Sequence, residues 1–228
     1  MATTLTQVRT NVSAILGLDN STTGDQPQID FYANEAVRKT LMDTRCYVTS
    51  ATITPGATAD YTLTTSALEV IEIYGTSDSQ NYSLERRSVA EIIQRRQAST
   101  SAGPTRYYAM TGNNLFMWYP TPSAADTFTL YYVPQPTEMA TGANDLSVTT
   151  YGGVPTSIFD CVENYVLWKM ADLDDDATSS MGEKYRALYE DAIRKARKHL
   201  RDRGGTRLGP ARIRHRGALV AHDRSTYP

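Results

Sequence analysis

Apolar positions in the first 45 residues repeat at helical spacing. The first apolar stretch recurs every three or four positions until Gly17 stops it, which predicts an amphipathic helix. After a polar loop, Asp25 is a favourable N-cap and Pro27 suits a first helical turn. A second helix is therefore predicted to run to about Thr44. We expect residues 1–45 to contribute two helices to a bundle.

The period changes to two over residues 46–150. The segments CYVTSATIT, ADYTLTT and LEVIEIYG, followed later by TRYYAM, NLFMWYP and DTFTLYYVP, are rich in β-branched and aromatic residues and predict six strands. A short helix is predicted at Ser88–Arg96, where Ser88 and Glu91 form a capping box. The TGNN turn predicts a hairpin between two of the strands. We expect this region to form a small antiparallel barrel or sandwich.

Helical spacing returns over residues 151–203. One helix is predicted to start at Pro155–Thr156, and a long one to run from about Glu183 to Arg203, where Gly204–Gly205 ends it. The side chains predicted to face the core of the bundle include Ile15, Trp168, Leu173 and Leu188.

Helices at both ends of the chain therefore flank a block of strands. Segregated blocks of this kind indicate the α+β class rather than a parallel α/β sheet. We expect about four helices from both chain ends to pack as a bundle, with the β region inserted between them. Residues 204–228 lack an amphipathic period and predict an extended C-terminal arm.

Charge is distributed unevenly along the chain. Residues 194–228 contain 11 Lys and Arg and two acidic residues, whereas residues 1–193 contain 12 basic and 23 acidic residues. An acidic body with a basic end is typical of an interaction tail. The two cysteines lie far apart without metal-site spacing, and no run of about 18 apolar residues or signal peptide is present. We therefore expect an intracellular protein without a disulfide framework or a membrane span.

Motifs that carry catalysis are missing from the sequence. It contains no phosphate loop, GxGxxG, GxSxG or HExxH pattern. Cys161 is predicted to be a core thiol, because it lies on the apolar stripe of its helix and no base is predicted beside it. Glu69 and Glu72 are interpreted as charges on a strand surface rather than an acid–base pair. We expect no enzymatic activity and no cofactor.

One acidic turn has the spacing of a calcium-binding loop. Asp172, Asp174 and Asp176 occupy positions 1, 3 and 5 of a twelve-residue frame that ends at Glu183. Ala177 stands where such a loop requires glycine, and no second loop is present to pair with it. The favoured interpretation is a solvated turn between two helices, and no metal site is predicted.

The arm beyond Gly205 combines arginines with apolar anchors. Arginine suits bidentate pairing with carboxylates or phosphates, and the apolar residues favour a peptide that becomes ordered in a groove of another protein. A nucleic-acid contact and an end without a role are the alternatives. The predicted partner-binding residues are Arg207, Leu208, Arg212, Ile213, Arg214, Arg216, Leu219, Val220, Arg224 and Tyr227.

Several motifs together resemble a known family. They are FYANEAVRKTLMDTRCY, LEVIEIYG, the strand pair that contains Tyr-Pro-Thr-Pro and Tyr-Tyr-Val-Pro, and the final helix pair joined by DLDDD. In this order, from about Thr3 to Arg203, they resemble the head–tail connector proteins of tailed bacteriophages, which are also called adaptor or head-completion proteins. The Tyr-Pro-Thr-Pro and Tyr-Tyr-Val-Pro strands are the most specific part of the resemblance.

The resemblance implies a structural protein of the virion neck that is made in the host cytoplasm. Such proteins form a ring, usually of 12 copies, beneath the portal protein, on which their C-terminal segment docks. The ring extends the channel through which genomic DNA passes without specific binding, and it offers an attachment surface to the next neck or tail protein. An alternative is a nucleic-acid-binding protein that uses its basic arm, for which DNA affinity would fall steeply with salt.

Overall fold

The fold is that of a computed structural model, which describes residues 3–64, 66–77, 80–98, 103–112, 114–173 and 179–203. Its α-helices are α1 (Leu5–Leu16), α2 (Gln26–Thr44), α3 (Val89–Ala98), α4 (Asp160–Ala171) and α5 (Ser179–Arg203). Its strands are β1 (Thr49–Ile53), β2 (Asp60–Thr62), β3 (Ala67–Ser77), β4 (Gln80–Ser83), β5 (Glu85–Arg86), β6 (Tyr107–Thr111), β7 (Leu115–Tyr119) and β8 (Thr127–Pro134). Two short 3-10 turns, Thr149–Tyr151 and Thr156–Ile158, precede α4. The α+β class is confirmed.

The ends of the first two helices follow their local sequence. Thr4 caps α1 by accepting a hydrogen bond from the amide of Gln7, and Gly17 ends the helix with a φ of 69°. Asp25 occupies the N-cap position of α2, but its carboxylate accepts the amide of Asp19 and caps no helical amide. The prediction of the helix start is therefore confirmed, whereas its predicted capping interaction is not formed.

The helices pack around α4. This helix contacts α1, α2 and α5, and its Val162 and Val166 are fully buried. A bidentate ion pair adds a polar connection between α1 and α2, because Arg9 donates to both carboxylate oxygens of Asp30 at 2.7 and 2.6 Å. The bundle core also takes up Val133, Met139 and Leu146 from outside the helices. Both chain ends therefore contribute to one core, as the periodicity predicts.

Three of the side chains predicted to face the core are exposed. Ile15 is 48%, Leu173 50% and Leu188 42% exposed. Ile15 lies in the last turn of its helix, and Leu173 follows the end of α4, so helical phase no longer orients it. Leu188 lies at the edge of the buried stripe of α5. The fourth residue, Trp168, is half-buried.

The strands form two open four-stranded sheets, with the orders β1-β8-β3-β4 and β2-β7-β6-β5. Of the predicted barrel or sandwich, the barrel is wrong, since neither sheet closes on itself. The prediction of wholly antiparallel pairing is also wrong, because β5 runs parallel to β6. Strands β4 and β5 were not predicted. The six predicted strands are all present, and the TGNN turn joins β6 and β7 as a hairpin.

Buried side chains from both sheets make a second core. The ring of Trp118 stacks on Phe116 and on Phe128, with centroid separations of 5.4 and 5.0 Å. Phe116 and Trp118 belong to β7, whereas Phe128 belongs to β8 in the other sheet. Helix α3 is attached to this region by Arg96, which donates to the carbonyl of Trp118 and to Asp60. The aromatic residues of the predicted strands therefore hold the two sheets together.

The Asn-Glu-Ala sequence at the centre of α2 joins distant parts of the chain. The side-chain oxygen of Asn34 accepts the amide of Met139 at 2.7 Å, and its nitrogen donates to the Met139 carbonyl at 3.2 Å. Ala36 is fully buried in the bundle core. The asparagine thus satisfies the backbone of a buried residue 105 positions away.

Substituting Asn34 tests this connection. Asn34→Ala leaves the buried amide and carbonyl of Met139 without their partners, so the free energy of unfolding should fall by about 1–3 kcal/mol in urea denaturation. Gln28→Ala, on the exposed side of the same helix, is the control and should change stability by less than about 0.5 kcal/mol. Equal stability of the two variants would contradict the role given to Asn34.

Candidate functional site

The predicted docking arm begins where α5 ends. Helix α5 has 25 residues, which corresponds to a length of about 38 Å. The ten residues predicted to bind the partner, from Arg207 to Tyr227, lie outside the described residues. Their role stays a prediction. The structure describes the pair of helices α4 and α5, the second of which ends directly before the arm in the sequence.

Part of the basic excess near the C-terminus is neutralised within the body. Asp191 forms ion pairs with Arg194 at 2.5 Å and Lys195 at 2.6 Å, and these two cations lower the pKa of the Asp191 carboxyl. Arg197 lies 3.6 Å from a carboxylate oxygen of Asp43 on α2. Several cations of α5 therefore have partners in their own chain and need no external anion.

One side of the α4–α5 pair carries a cluster of aromatic rings. Tyr165 makes edge contacts with Trp168 and Tyr189, at centroid separations of 5.5 and 5.2 Å. The rings of Trp168 and Tyr189 are 6.1 Å apart. Tyr165 and Tyr189 are buried, whereas Trp168 is half-buried and reaches the surface. The cluster therefore extends from the core of the bundle to solvent.

Two hydrogen bonds fix this cluster to α2. The hydroxyl of Tyr165 donates to Glu35 and that of Tyr189 donates to Asp43, each at 2.8 Å. Burial, supported by the accepting carboxylates, raises the pKa of both tyrosines. Glu35 lies near the middle of α2 and Asp43 near its end. The two tyrosines thus hold both helices of the pair against α2.

Cationic groups line the exposed edge of the cluster, and α2 carries Phe31 one helical turn before Glu35. Phe31 is 58% exposed, and its ring contacts Tyr32 at 5.3 Å. The ammonium of Lys169 lies 4.4 Å from the centroid of the Trp168 ring, and the guanidinium of Arg186 lies 5.5 Å from it. We name these five residues the aromatic face. Tryptophan, tyrosine and arginine are the residue types that dominate binding energy at protein interfaces.

A groove of about 560 Å³ lies on the other side of the helix pair. Its walls are formed by the 3-10 turn before α4, the first turns of α4 and the second half of α5. Its apolar floor and polar rim include Ile158, Asp160, Cys161, Asn164, Leu188, Ala192, Lys195 and His199. We name this feature the α4–α5 groove. The side chains of Leu188 and Asp160 are exposed there.

The groove brings together Cys161 and His199, which the sequence did not place near each other. Burial, with a smaller effect of Asp160, raises the pKa of the Cys161 thiol to about 12, which is opposite to the change that activates a nucleophile. The buried Nε2 of His199 forms no hydrogen bond to any of the described residues. The thiol is part of the bundle core, in agreement with the prediction.

The other candidate chemical groups are held in structural interactions. Arg45 binds Glu69 through two hydrogen bonds of 2.9 and 2.5 Å, and Glu72 accepts a hydrogen bond from Ser83. Asp174 and Asp176 of the acidic turn lie outside the described residues. Within the part of the chain that is described, no group of three or more potential metal ligands occurs. No described helix is long and apolar enough to cross a membrane.

Comparison with known proteins decides the family. The model of the SU10 adaptor protein family matches residues 3–214. The chain belongs to this family. The match confirms the resemblance to bacteriophage head–tail adaptors, and it includes every described residue. It continues beyond Arg203 into the first part of the arm and ends at residue 214. No curated protein matches the chain.

Sequence reasoning missed the surfaces that now stand out in this family member. Trp168 was assigned to the core, and Phe31, Lys169 and Arg186 received no role. The aromatic face joins residues from α2, α4 and α5, so no single segment carries its signal. The available indication in the sequence was that Phe31 lies outside the apolar stripe of its predicted helix.

The buried tyrosines predict a loss of stability at alkaline pH. The pKa values of both hydroxyl groups are raised in the folded protein. Above about pH 10 the unfolded chain therefore loses these hydroxyl protons while the folded protein still holds them, and the free energy of unfolding falls. In the double variant Tyr165→Phe/Tyr189→Phe, the free energy of unfolding should fall less steeply between about pH 10 and 12. The variant should be less stable at pH 7, because it lacks two hydrogen bonds. Urea denaturation across this range measures both effects, and an unchanged slope would contradict the assignment.

Proposed function

We propose that this protein is a structural adaptor of the bacteriophage neck, which assembles as a ring beneath the portal protein. The ring, of about 12 copies, extends the DNA channel and presents an attachment surface to the next neck or tail protein. The observation that carries the proposal is the match of the SU10 adaptor protein family to residues 3–214. The protein acts by binding and positioning other virion components, and no catalytic step is assigned to it.

The charge of the body supports a role beside DNA. Residues 1–193 contain 23 acidic and 12 basic residues. A channel wall with net negative charge repels the phosphate backbone, so DNA passes through without being held. This explains why an adaptor beside the genome is acidic over most of its length.

The arm supplies the contact with the portal. Its arginines offer bidentate donors to carboxylates, and its apolar residues Leu208, Ile213, Leu219 and Val220 can enter a groove on the portal surface. Repetition around a ring multiplies these individually weak contacts. The isolated protein is mainly monomeric in this proposal, because the portal nucleates the ring.

A second candidate function is nucleic-acid binding through the same arm. The five arginines of residues 204–228 with one acidic residue favour it. A contact with phosphates depends mainly on positive charge and weakens steeply with salt, whereas a protein groove also requires the apolar anchors and the shape of the guanidinium group.

Removal of residues 204–228 tests the proposal. The shortened protein should keep the melting temperature of the full chain, because the arm has no apolar period with which to bury a face, and it should lose binding to purified portal rings of the same phage. Thermal unfolding and co-sedimentation measure the two effects. Unfolding of the body, or unchanged portal binding, would overturn the role of the arm.

Two full-length variants separate the candidate functions. Replacing the five arm arginines by lysine keeps the charge but removes bidentate pairing, so portal binding should weaken while any DNA affinity remains. Replacing Leu208, Ile213, Leu219 and Val220 by serine should likewise weaken portal binding alone. If both variants bind the portal normally and the full chain binds DNA with a steep salt dependence, the nucleic-acid function is favoured.

A further inference from the structure

We propose that neighbouring copies of this chain contact each other head to tail, with the aromatic face of one copy seated in the α4–α5 groove of the next. The inference rests on the proposed ring and identifies the surfaces that would form it. It also identifies an ion pair between copies, Lys169 of the face with Asp160 of the groove.

The first argument is the position of the two surfaces. On α5, Leu188, Lys195 and His199 line the groove, whereas Arg186 belongs to the aromatic face. At 100° per residue, the two sets lie on opposite sides of the buried stripe that contains Tyr189. A single helix therefore presents one surface to each side.

Helix α4 repeats this arrangement. Asp160 and Asn164 line the groove, whereas Tyr165 and Lys169 belong to the aromatic side. Around the circumference of α4, the side that faces α5 lies between these two pairs. Trp168 is on that side, since its ring contacts Tyr189 of α5. Both helices of the pair thus separate the same two surfaces, which a head-to-tail contact requires.

The second argument is apolar complementarity. The face includes Phe31, which is 58% exposed one helical turn before Glu35 on α2, and the half-buried Trp168 on α4. The groove offers an apolar floor that includes Ile158, Leu188 and Ala192, of which Leu188 is 42% exposed. Burial of exposed apolar surface of this size is a driving force for association, and an aromatic anchor in a pocket is the usual centre of such a contact.

The third argument is charge complementarity. Among the described residues, neither Lys169 on the face nor Asp160 in the groove takes part in an ion pair, although neighbouring charges such as Asp191 are fully paired. Nine positions, or about 14 Å of helix, separate the two residues, so they cannot pair within one α4. In a head-to-tail contact the lysine of one copy meets the aspartate of the next.

The symmetry of such a contact fits the proposed ring. A contact between two different surfaces is heterologous, and it generates a closed ring when the rotation between copies closes. An isologous dimer would need one surface that complements itself. The face is aromatic and cationic, whereas the groove is concave and carries Asp160 on a rim that also includes Lys195 and Lys198, so the complementarity is between the aromatic anchors and the apolar floor and between Lys169 and Asp160.

Charge reversal tests the contact with the full-length protein. Asp160→Lys and Lys169→Glu each place like charges opposite each other between identical copies. Each variant alone should need at least about tenfold more protein to fill a portal ring, as measured by native mass spectrometry of the complex. In an equimolar mixture, every contact between a copy of one variant and a copy of the other has opposite charges, so a ring in which the two variants alternate should fill as the wild type does. The double variant has opposite charges at every contact and should do the same.

Rescue by mixing separates a broken contact from a misfolded protein. Lys184→Glu, an exposed cation of α5 outside both surfaces, is the matched control and should assemble normally. Suppose that the wild type fills the portal ring. If the single variants then fill it equally well, or if their mixture stays defective, the inference is wrong while the proposed function stands. If the wild type does not bind the portal, the proposed function fails. The same samples are then compared by sedimentation at high concentration, where self-association independent of these charges overturns the inference.

Discussion

The packing of α4 against α1, α2 and α5 is the interaction on which the rest of the structure depends. It joins α4 to α1 and α2, which lie more than 100 residues earlier in the chain, and it buries Val162 and Val166 completely. Apolar burial supplies the attraction, and hydrogen bonds from Tyr165 and Tyr189 to carboxylates of α2 determine how the helices are aligned. Because helices that precede and follow the strands share this core, the bundle closes around both parts of the sequence.

The motifs that resemble the adaptor family have structural roles in this chain. Asn34 satisfies the backbone of Met139, and Glu35 accepts the hydroxyl of Tyr165. The aromatic residues of the Tyr-Pro-Thr-Pro and Tyr-Tyr-Val-Pro strands include Trp118, Tyr132 and their neighbours in the second core. These residues connect elements rather than converge on a reactive centre. Structural roles of this kind agree with an adaptor role.

Sequence periodicity predicted the four helices of the bundle and six strands, since each of these elements buries a continuous face. It missed β5, which is two residues long and pairs in parallel with β6, because such a pairing depends on tertiary packing rather than on a local pattern. It predicted that Leu188 is buried, because apolar spacing identifies the stripe of a helix but does not show how much of that stripe the neighbouring helices cover. The aromatic face was not predicted, because its residues come from three separate helices. The arm residues remain predictions, because their partner lies outside the chain.

The proposed two-sided contact and the proposed docking arm together account for a ring that forms only at the portal. Exposed charges such as Asp160 and Lys169 gain little free energy from one contact in water, since solvent and salt screen them. A small apolar contact of the same kind gives a monomer at low concentration. In the proposed assembly, attachment of several arms to one portal raises the effective concentration of neighbouring copies, so each weak contact becomes favourable once the copies are held side by side. Strong contacts between free copies would instead assemble rings or filaments away from the capsid.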